Sequence, residues 1–280
     1  MRFSNLGLPA LFLVCATPAF AQEETAPPEP ITVSGSVSLT SDYRFRGVSQ
    51  SDKEMAIQGG ITIAHESGFY VGTWGSNLAG WGTFGGANME LDLIGGFKTP
   101  IGGGGTLDVG VTWYMYPGGA DKTDFAEPYV KLSGTTGPVT LTAGVFYAPQ
   151  QEALGNWWFT GADAVTGVYN DPGDKEDNLY LSGDAVAAIP NTPVSLRAHI
   201  GYSDGNPGLG PNGTSVAPTG KYWDWTLGAD FTYKNLTLGV SYVDTDISRA
   251  DGAYLLPNFS KGGTDPIADG AVVMSLTAAF

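Results

Sequence analysis

The 280-residue sequence predicts an all-β fold, a closed antiparallel transmembrane β-barrel of about twelve strands with short periplasmic turns and long extracellular loops. Three observations predict it. From residue 31 onward, runs of about ten residues alternate apolar and polar side chains at period two, and each run ends in a turn. The turns are short after even-numbered runs and long after odd-numbered ones, a parity that a soluble sandwich has no reason to keep. The last run, residues 270–280, sets Val272, Met274, Leu276, Ala278 and Phe280 on one face and Val273, Ser275, Thr277 and Ala279 on the other. Such a strand has two different surroundings, and a terminal aromatic is expected at a membrane interface.

Residues 1–21 read as a secretory signal peptide, with Arg2 at the charged end, an apolar run from Leu6 to Phe20 and an A-x-A cleavage site at Ala19, Phe20 and Ala21. The mature chain then begins at Gln22. Residues 22–30, rich in Glu and Pro, form a disordered lead-in, and residues 31–280 form one barrel domain. No later stretch reaches about eighteen consecutive apolar residues, so any membrane crossing is made by strands. The single cysteine, Cys15, lies in the signal behind Val14, where a lipoprotein would carry a small residue. Its removal excludes disulfides, thiol chemistry and cysteine metal sites. With 28 acidic against 13 basic residues the net charge is −15, one unit lower once Arg2 is cleaved. That balance argues against nucleic acid or an anionic lipid surface as a partner.

The runs follow in order. Residues 31–45 place Ile31, Val33, Val37, Leu39, Tyr43 and Phe45 on the outer face, with Asp42 and Arg44 on the opposite one. Residues 55–64 repeat the pattern through Met55, Ile57, Ile61 and Ile63, whereas 69–77 is ambiguous because both faces are small or aromatic. The fourth run sets Met89, Leu91, Leu93 and Phe97 against Glu90 and Asp92, and the fifth sets Leu107, Val109, Val111, Trp113 and Met115 against Asp108. The sixth, 127–133, carries Pro128 near its start, where a missing donor costs least. The seventh begins at Val139 and alternates Leu141, Ala143, Val145 and Tyr147 with Thr140 and Thr142. In the eighth and ninth, Leu179, Leu181, Ala185, Val194, Leu196, Ala198, Ile200 and Tyr202 oppose Asp184, Arg197 and His199. The tenth alternates Trp223, Trp225, Leu227, Ala229, Phe231 and Tyr233 with Asp224 and Asp230, and the eleventh, 236–242, follows the tight turn at Lys234 and Asn235.

Short turns are expected at 65–68, 98–105, 134–138, 188–193 and 234–235, and the longest loops at 148–177 and 245–268. Aromatics gather at both strand ends: Tyr43, Phe45, Trp113, Tyr116, Tyr147, Tyr202, Trp223 and Tyr242 on the long-loop side, Phe69, Phe97, Phe231, Tyr233 and Phe280 on the other. In lipid the strands must close on themselves, since no backbone polar group can stay unpaired. Twelve strands give a backbone radius of roughly 11 Å. Inward side chains then leave at most a narrow channel, which loop residues are able to plug.

Residues 42–50 read Asp42, Tyr43, Arg44, Phe45, Arg46, Gly47, Val48, Ser49, Gln50, and this stretch resembles the signature of the TorF porin family. Gly72, Trp74 and Ser76 within 68–77, Glu90 to Asp92, and the closing strand with Phe280 fit the same resemblance, which spans essentially the mature chain. The resemblance implies an outer-membrane barrel of porin type and says little about solute.

The parity places Asp42, Glu90, Asp92, Asp108, Glu127, Asp184, Asp224 and Asp230 inside, with Arg44, Arg46, Lys131, Arg197 and His199. An acidic excess in a narrow lumen favours cations. The competing reading is that these charges pair across the lumen and brace the wall. Asp184 and Arg197 are equidistant from the middle of their turn and are expected to pair; Arg44 and Arg46 are expected either to oppose Glu90 and Asp92 as a constriction or to clamp the first long loop. Trp157, Trp158 and Phe159 are expected to fold inward with the longest loop, and Asp171, Asp174, Glu176 and Asp177 to form a solvated acidic loop lacking calcium-loop spacing.

The function expected is therefore a porin-like channel in the bacterial outer membrane, passing small solutes or ions by diffusion, with no cofactor. Its surroundings are outer-membrane lipid and lipopolysaccharide, and the C-terminal strand with Phe280 is the expected signal to the barrel-assembly machinery. The alternatives are a pore-less structural or surface-display barrel and an outer-membrane hydrolase. Hydrolysis is disfavoured, because His65 lies at a turn and His199 has Ser195 and Ser203 four residues away along an extended strand.

Overall fold

A computed structural model describes residues 30–280. The expected signal peptide, with Cys15, and the expected lead-in through residue 29 lie outside the described residues. Twelve strands form one closed antiparallel barrel. They are β1 (Ile31–Thr40), β2 (Ala56–His65), β3 (Phe69–Asn77), β4 (Met89–Gly102), β5 (Gly105–Met115) and β6 (Phe125–Thr136). The circuit continues with β7 (Val139–Gln151), β8 (Glu176–Ala188), β9 (Val194–Pro207), β10 (Thr219–Tyr233), β11 (Leu236–Thr245) and β12 (Ala271–Ala279). Closure is made by β1 against β12, from Ser36 opposite Ala279 to Thr40 opposite Ser275.

Period-two patterning explains the two faces. Leu93, Val109, Leu141, Ile200, Leu227 and Met274 point outward and are exposed, while their strand neighbours Asp92, Asp108, Thr142, His199, Thr226 and Val273 point inward. Trp113, Tyr147, Trp223 and Tyr242 mark one end of this apolar belt, and Phe69, Phe97, Phe231, Tyr233 and Phe280 mark the other. An apolar band between two aromatic girdles is the outside of a barrel that spans a bilayer. Among the described residues no helix is long and apolar enough to cross a membrane, so the crossing elements are the strands. The third strand resolves with Phe69, Val71 and Thr73 outward and Tyr70, Trp74 and Ser76 inward.

Several boundaries depart from the sequence expectation. The first strand stops at Thr40 instead of running to residue 45, so Tyr43 is buried inside and does not join the outer girdle; Tyr116 is buried as well. The turn expected over 98–105 shrinks to residues 103–104, since β4 and β5 stay paired to Gly102 opposite Gly105, and both turn glycines have positive φ. Strands β7, β9 and β10 run further toward the long loops than their alternation suggests.

The long loops fold over one mouth of the barrel with an apolar cluster of their own. Val48, Trp81, Trp157, Trp158, Leu209, Ile247, Leu255, Phe259 and Ile267 make up much of it. Trp81 meets Phe259 edge-on at 4.8 Å, and Trp157 and Trp158 both pack on Tyr169. The tryptophans are thus buried in this cap, while Phe159 remains exposed. A one-and-a-half-turn helix (Gly161–Thr166), capped by Thr160, completes the loop.

Candidate functional site: a hairpin inside the barrel

After Thr40 the chain leaves the wall. Residues 42–50 form a miniature ribbon, Arg44–Phe45 paired with Val48–Ser49, that projects into the lumen. Its tip is Arg46 (φ 48°) followed by Gly47 (φ 80°), two successive positive-φ residues as a tight hairpin turn requires. Only glycine fits at the second position, because a Cβ there would strike Thr245 Cγ2 and lie 3.0 Å from Asp224 Cβ.

Asp42 ties the base of the ribbon together. Its Oδ2 accepts from Arg44 Nε at 2.6 Å and its Oδ1 from Ser49 Oγ at 2.6 Å. Tyr43 N donates to Ser51 Oγ at 2.9 Å, and Gln50 N to Tyr43 O at 2.7 Å. Arg44 Nη1 lies 3.0 to 3.1 Å from the carbonyl oxygens of Gly47, Ile267 and Asp269, which fastens the ribbon to the last long loop. Lys53 and Lys261 extend this link outward as ion pairs to Asp265 and Glu54.

Arg46 reaches across the barrel. Its Nη2 donates to Glu127 Oε1 on β6 at 2.6 Å, and its guanidinium carbon stands 4.0 Å over the Tyr180 ring of β8 and 4.8 Å over Phe45. Tyr114 OH donates to the other Glu127 oxygen at 3.3 Å. Phe45 meets Tyr114 edge-on at 5.9 Å. The expected pairing of Arg44 and Arg46 with Glu90 and Asp92 is therefore corrected. Glu90 instead accepts from Tyr43 OH at 3.0 Å, and Asp92 is fully buried with both carboxylate oxygens unpartnered. The departure follows from the hairpin, which carries both arginines off the β1 wall.

Toward the short-turn end the interior holds three more clusters. Asp108 accepts from Tyr70 OH at 2.7 Å, Tyr70 hydrogen-bonds Tyr129, and Lys98 and Lys131 lie 3.8 and 3.9 Å from the same carboxylate. His199 has Asp184 Oδ1 2.7 Å from Nδ1 and Asp224 Oδ1 3.1 Å from Nε2, with Tyr180 OH bonded to both His199 and Asp224. Arg197 pairs with Asp230 at 3.4 Å. The expected Asp184–Arg197 pair does not form, because the register sets Asp184 opposite His199 and Val186 opposite Arg197. The turn centre lies one residue later than the simple midpoint, since Ile189 N still bonds Val194 O. Alternation alone marks Lys98 as part of a turn, and the pairing of β4 to residue 102 is what brings it inside.

The charged residues expected on the inner face, Asp42, Arg44, Arg46, Glu90, Asp92, Asp108, Glu127, Lys131, Asp184, Arg197, His199, Asp224 and Asp230, are all buried or half-buried. A cavity of about 200 Å³ lies between the hairpin and the β10–β12 and β1 wall, bordered by Arg46, Arg197, Asp230 and hydroxyls including Ser38, Thr226, Ser241, Ser275 and Thr277. The loop carboxylates outside have other tasks: Asp174 accepts from Asn156 N, Asp177 from Tyr147 OH and Glu176 from Asn206. Among the described residues no group of three or more His, Cys, Asp or Glu is placed to hold a metal ion.

Fold and interior together define a transmembrane β-barrel with a charged lumen and a hairpin folded into it. Within that class the chain belongs to a family described as a bacterial protein of unknown function (Gcw_chp), whose profile matches residues 24–280. No curated protein matches it. Solved structures to which it is similar include a KdgM porin in complex with disordered oligogalacturonate, at 8% identity and TM-score 0.48, covering 89% of this chain and 97% of that one. An outer membrane channel from Pseudomonas putida F1 has 10% identity and TM-score 0.41 over 91% and 99% of the two chains. The outer membrane channel DcaP of Acinetobacter baumannii has 11% identity and TM-score 0.39 over 89% and 97%. At these identities the likeness concerns the fold and carries nothing about solute.

Proposed function

We propose that the protein is a porin-like channel of the bacterial outer membrane, exported by its N-terminal signal, that passes small solutes with a preference for cations. In this reading the 42–50 hairpin is the element that gates the path. The observation that carries this reading is the cavity of about 200 Å³ beside a hairpin that meets the opposite wall through one ion pair and a few ring contacts. A barrel needing only to be rigid gains nothing from such an arrangement, since apolar packing in the same volume is at least as stabilising as buried charge pairs. The inner face carries eight carboxylates against five lysines and arginines, which lowers the entry barrier for cations.

A second reading, a pore-less surface barrel, draws on the apolar cluster of the long loops and on the pairing of most interior charges. Single-channel recording in a planar bilayer separates the two. The refolded mature protein is compared with a variant in which residues 43–50 are replaced by a short Gly-Ser linker. Brief, small openings in the wild type and steady conductance with a cation-selective reversal potential in the variant are expected. Silence from both correctly folded barrels would leave the pore-less reading.

A further inference from the structure

The surroundings of Arg46 have the chemistry of a binding site for a cation. A carboxylate, Glu127 at 1% exposure, takes one guanidinium nitrogen at 2.6 Å, and the Tyr180 ring faces the guanidinium at 4.0 Å. A carboxylate joined to an aromatic face is how proteins hold guanidinium and quaternary or primary ammonium groups away from water. Two further observations bear on how fully the present occupant fills the site. Arg46 Nη1 is buried without a partner, and so are both oxygens of Asp92, whose cross-strand neighbour Tyr114 donates to Glu127. The occupant is also held at a cost, since Arg46 is a non-glycine residue at φ 48°.

We propose that Arg46 is a tethered stand-in for a solute: Glu127, the Tyr180 ring and the adjacent Asp92 form an acceptor site for small guanidinium-bearing and related organic cations. The proposal deepens the channel reading and rests on it. A solute cation entering the lumen competes with Arg46 for Glu127, and its success releases the hairpin tip, so the site selects what opens the path. Tethering sets the competition. A side chain held on a short loop acts at an effective concentration in the millimolar range, so free cation must approach that level to displace it, and removing Arg46 raises the apparent affinity.

The probe is agmatine, titrated calorimetrically into the refolded full-length barrel in detergent. Arg46→Ala is expected to bind agmatine about tenfold more tightly than the wild type, because the internal competitor is gone. The double variant Arg46→Ala with Glu127→Gln is expected to lose the binding, and Arg46→Lys, which keeps a competing charge, to remain near the wild-type value. Equal affinity in wild type and Arg46→Ala, or binding undiminished in the double variant, overturns the proposal. Should Arg46→Ala not fold, the wild-type channel supplies the test: its opening frequency rises saturably with agmatine if the site exists, and indifference to agmatine overturns it. Failure of the channel reading shows separately, as absence of conductance from the hairpin-replaced barrel, while calorimetry still reports on the site.

Discussion

Asp92 lies on the inner face of β4, opposite Trp74 on one side and Tyr114 on the other, fully buried and with neither oxygen hydrogen-bonded. A buried carboxylate without partners forfeits its hydration and recovers nothing. Asp92→Asn is therefore expected to stabilise the barrel, by about 1–3 kcal/mol in urea unfolding from lipid vesicles. Glu127→Gln is the opposite case. It strands the buried Arg46 guanidinium and is expected to cost about 3–5 kcal/mol if the hairpin stays seated, or to free the hairpin at smaller cost, which limited proteolysis at 42–50 reads directly. Glycines on the wall supply a third residue-scale test. Tyr70 lies flat over Gly96 of the next strand, where a Cβ would fall 2.5 Å from the tyrosine oxygen and 2.8 Å from Val109 O. Gly96→Ala is expected to lift Tyr70 from Asp108 and to cost about 1–3 kcal/mol, measured by the same unfolding.

At the scale of the element, the outer and inner faces of one strand obey different rules. On β10, Leu227 faces lipid and Thr226 faces the lumen. Leu227→Arg is expected to lose about 2–4 kcal/mol in vesicles, whereas Thr226→Ser changes little. The strands themselves were legible in the sequence because alternation at period two is all that a half-buried strand asks. The hairpin was not. Alternation continues unbroken through Tyr43 and Phe45, so nothing in the pattern marks Thr40 as the last residue of the wall. Only Gly47, placed directly after a residue forced to positive φ, hints at a turn. Asp184 and Arg197 fail for a different reason. The hairpin turn over 189–193 is asymmetric, and a shift of its centre by one residue moves each cross-strand partner by two, which preserves the faces while exchanging every pair. Faces were therefore readable, and partners were not.

At the scale of the whole molecule the charge inside the barrel is a property of the hairpin as much as of the wall. With the hairpin in place the interior holds eight carboxylates against Arg44, Arg46, Lys98, Lys131 and Arg197, three more carboxylates than lysines and arginines. Replacing residues 43–50 removes two of those cations and no carboxylate, leaving an excess of five. The acidic residues Glu90, Asp92 and Glu127, now shielded from solvent, then border the open path. On the proposed channel reading, opening and cation preference are coupled. The size of the coupling depends on salt, because the Debye length is about 10 Å at 0.1 M and about 3 Å at 1 M, against a barrel radius of roughly 11 Å. At the lower concentration the field of the wall reaches the axis, and at the higher one it does not. The reversal potential of the hairpin-replaced barrel across a fixed tenfold KCl gradient is expected to lie close to the potassium value when the gradient is centred near 0.1 M, and to fall toward zero when it is centred near 1 M. A reversal potential that ignores ionic strength would place selectivity in a direct cation contact at the constriction and not in the field of the lumen.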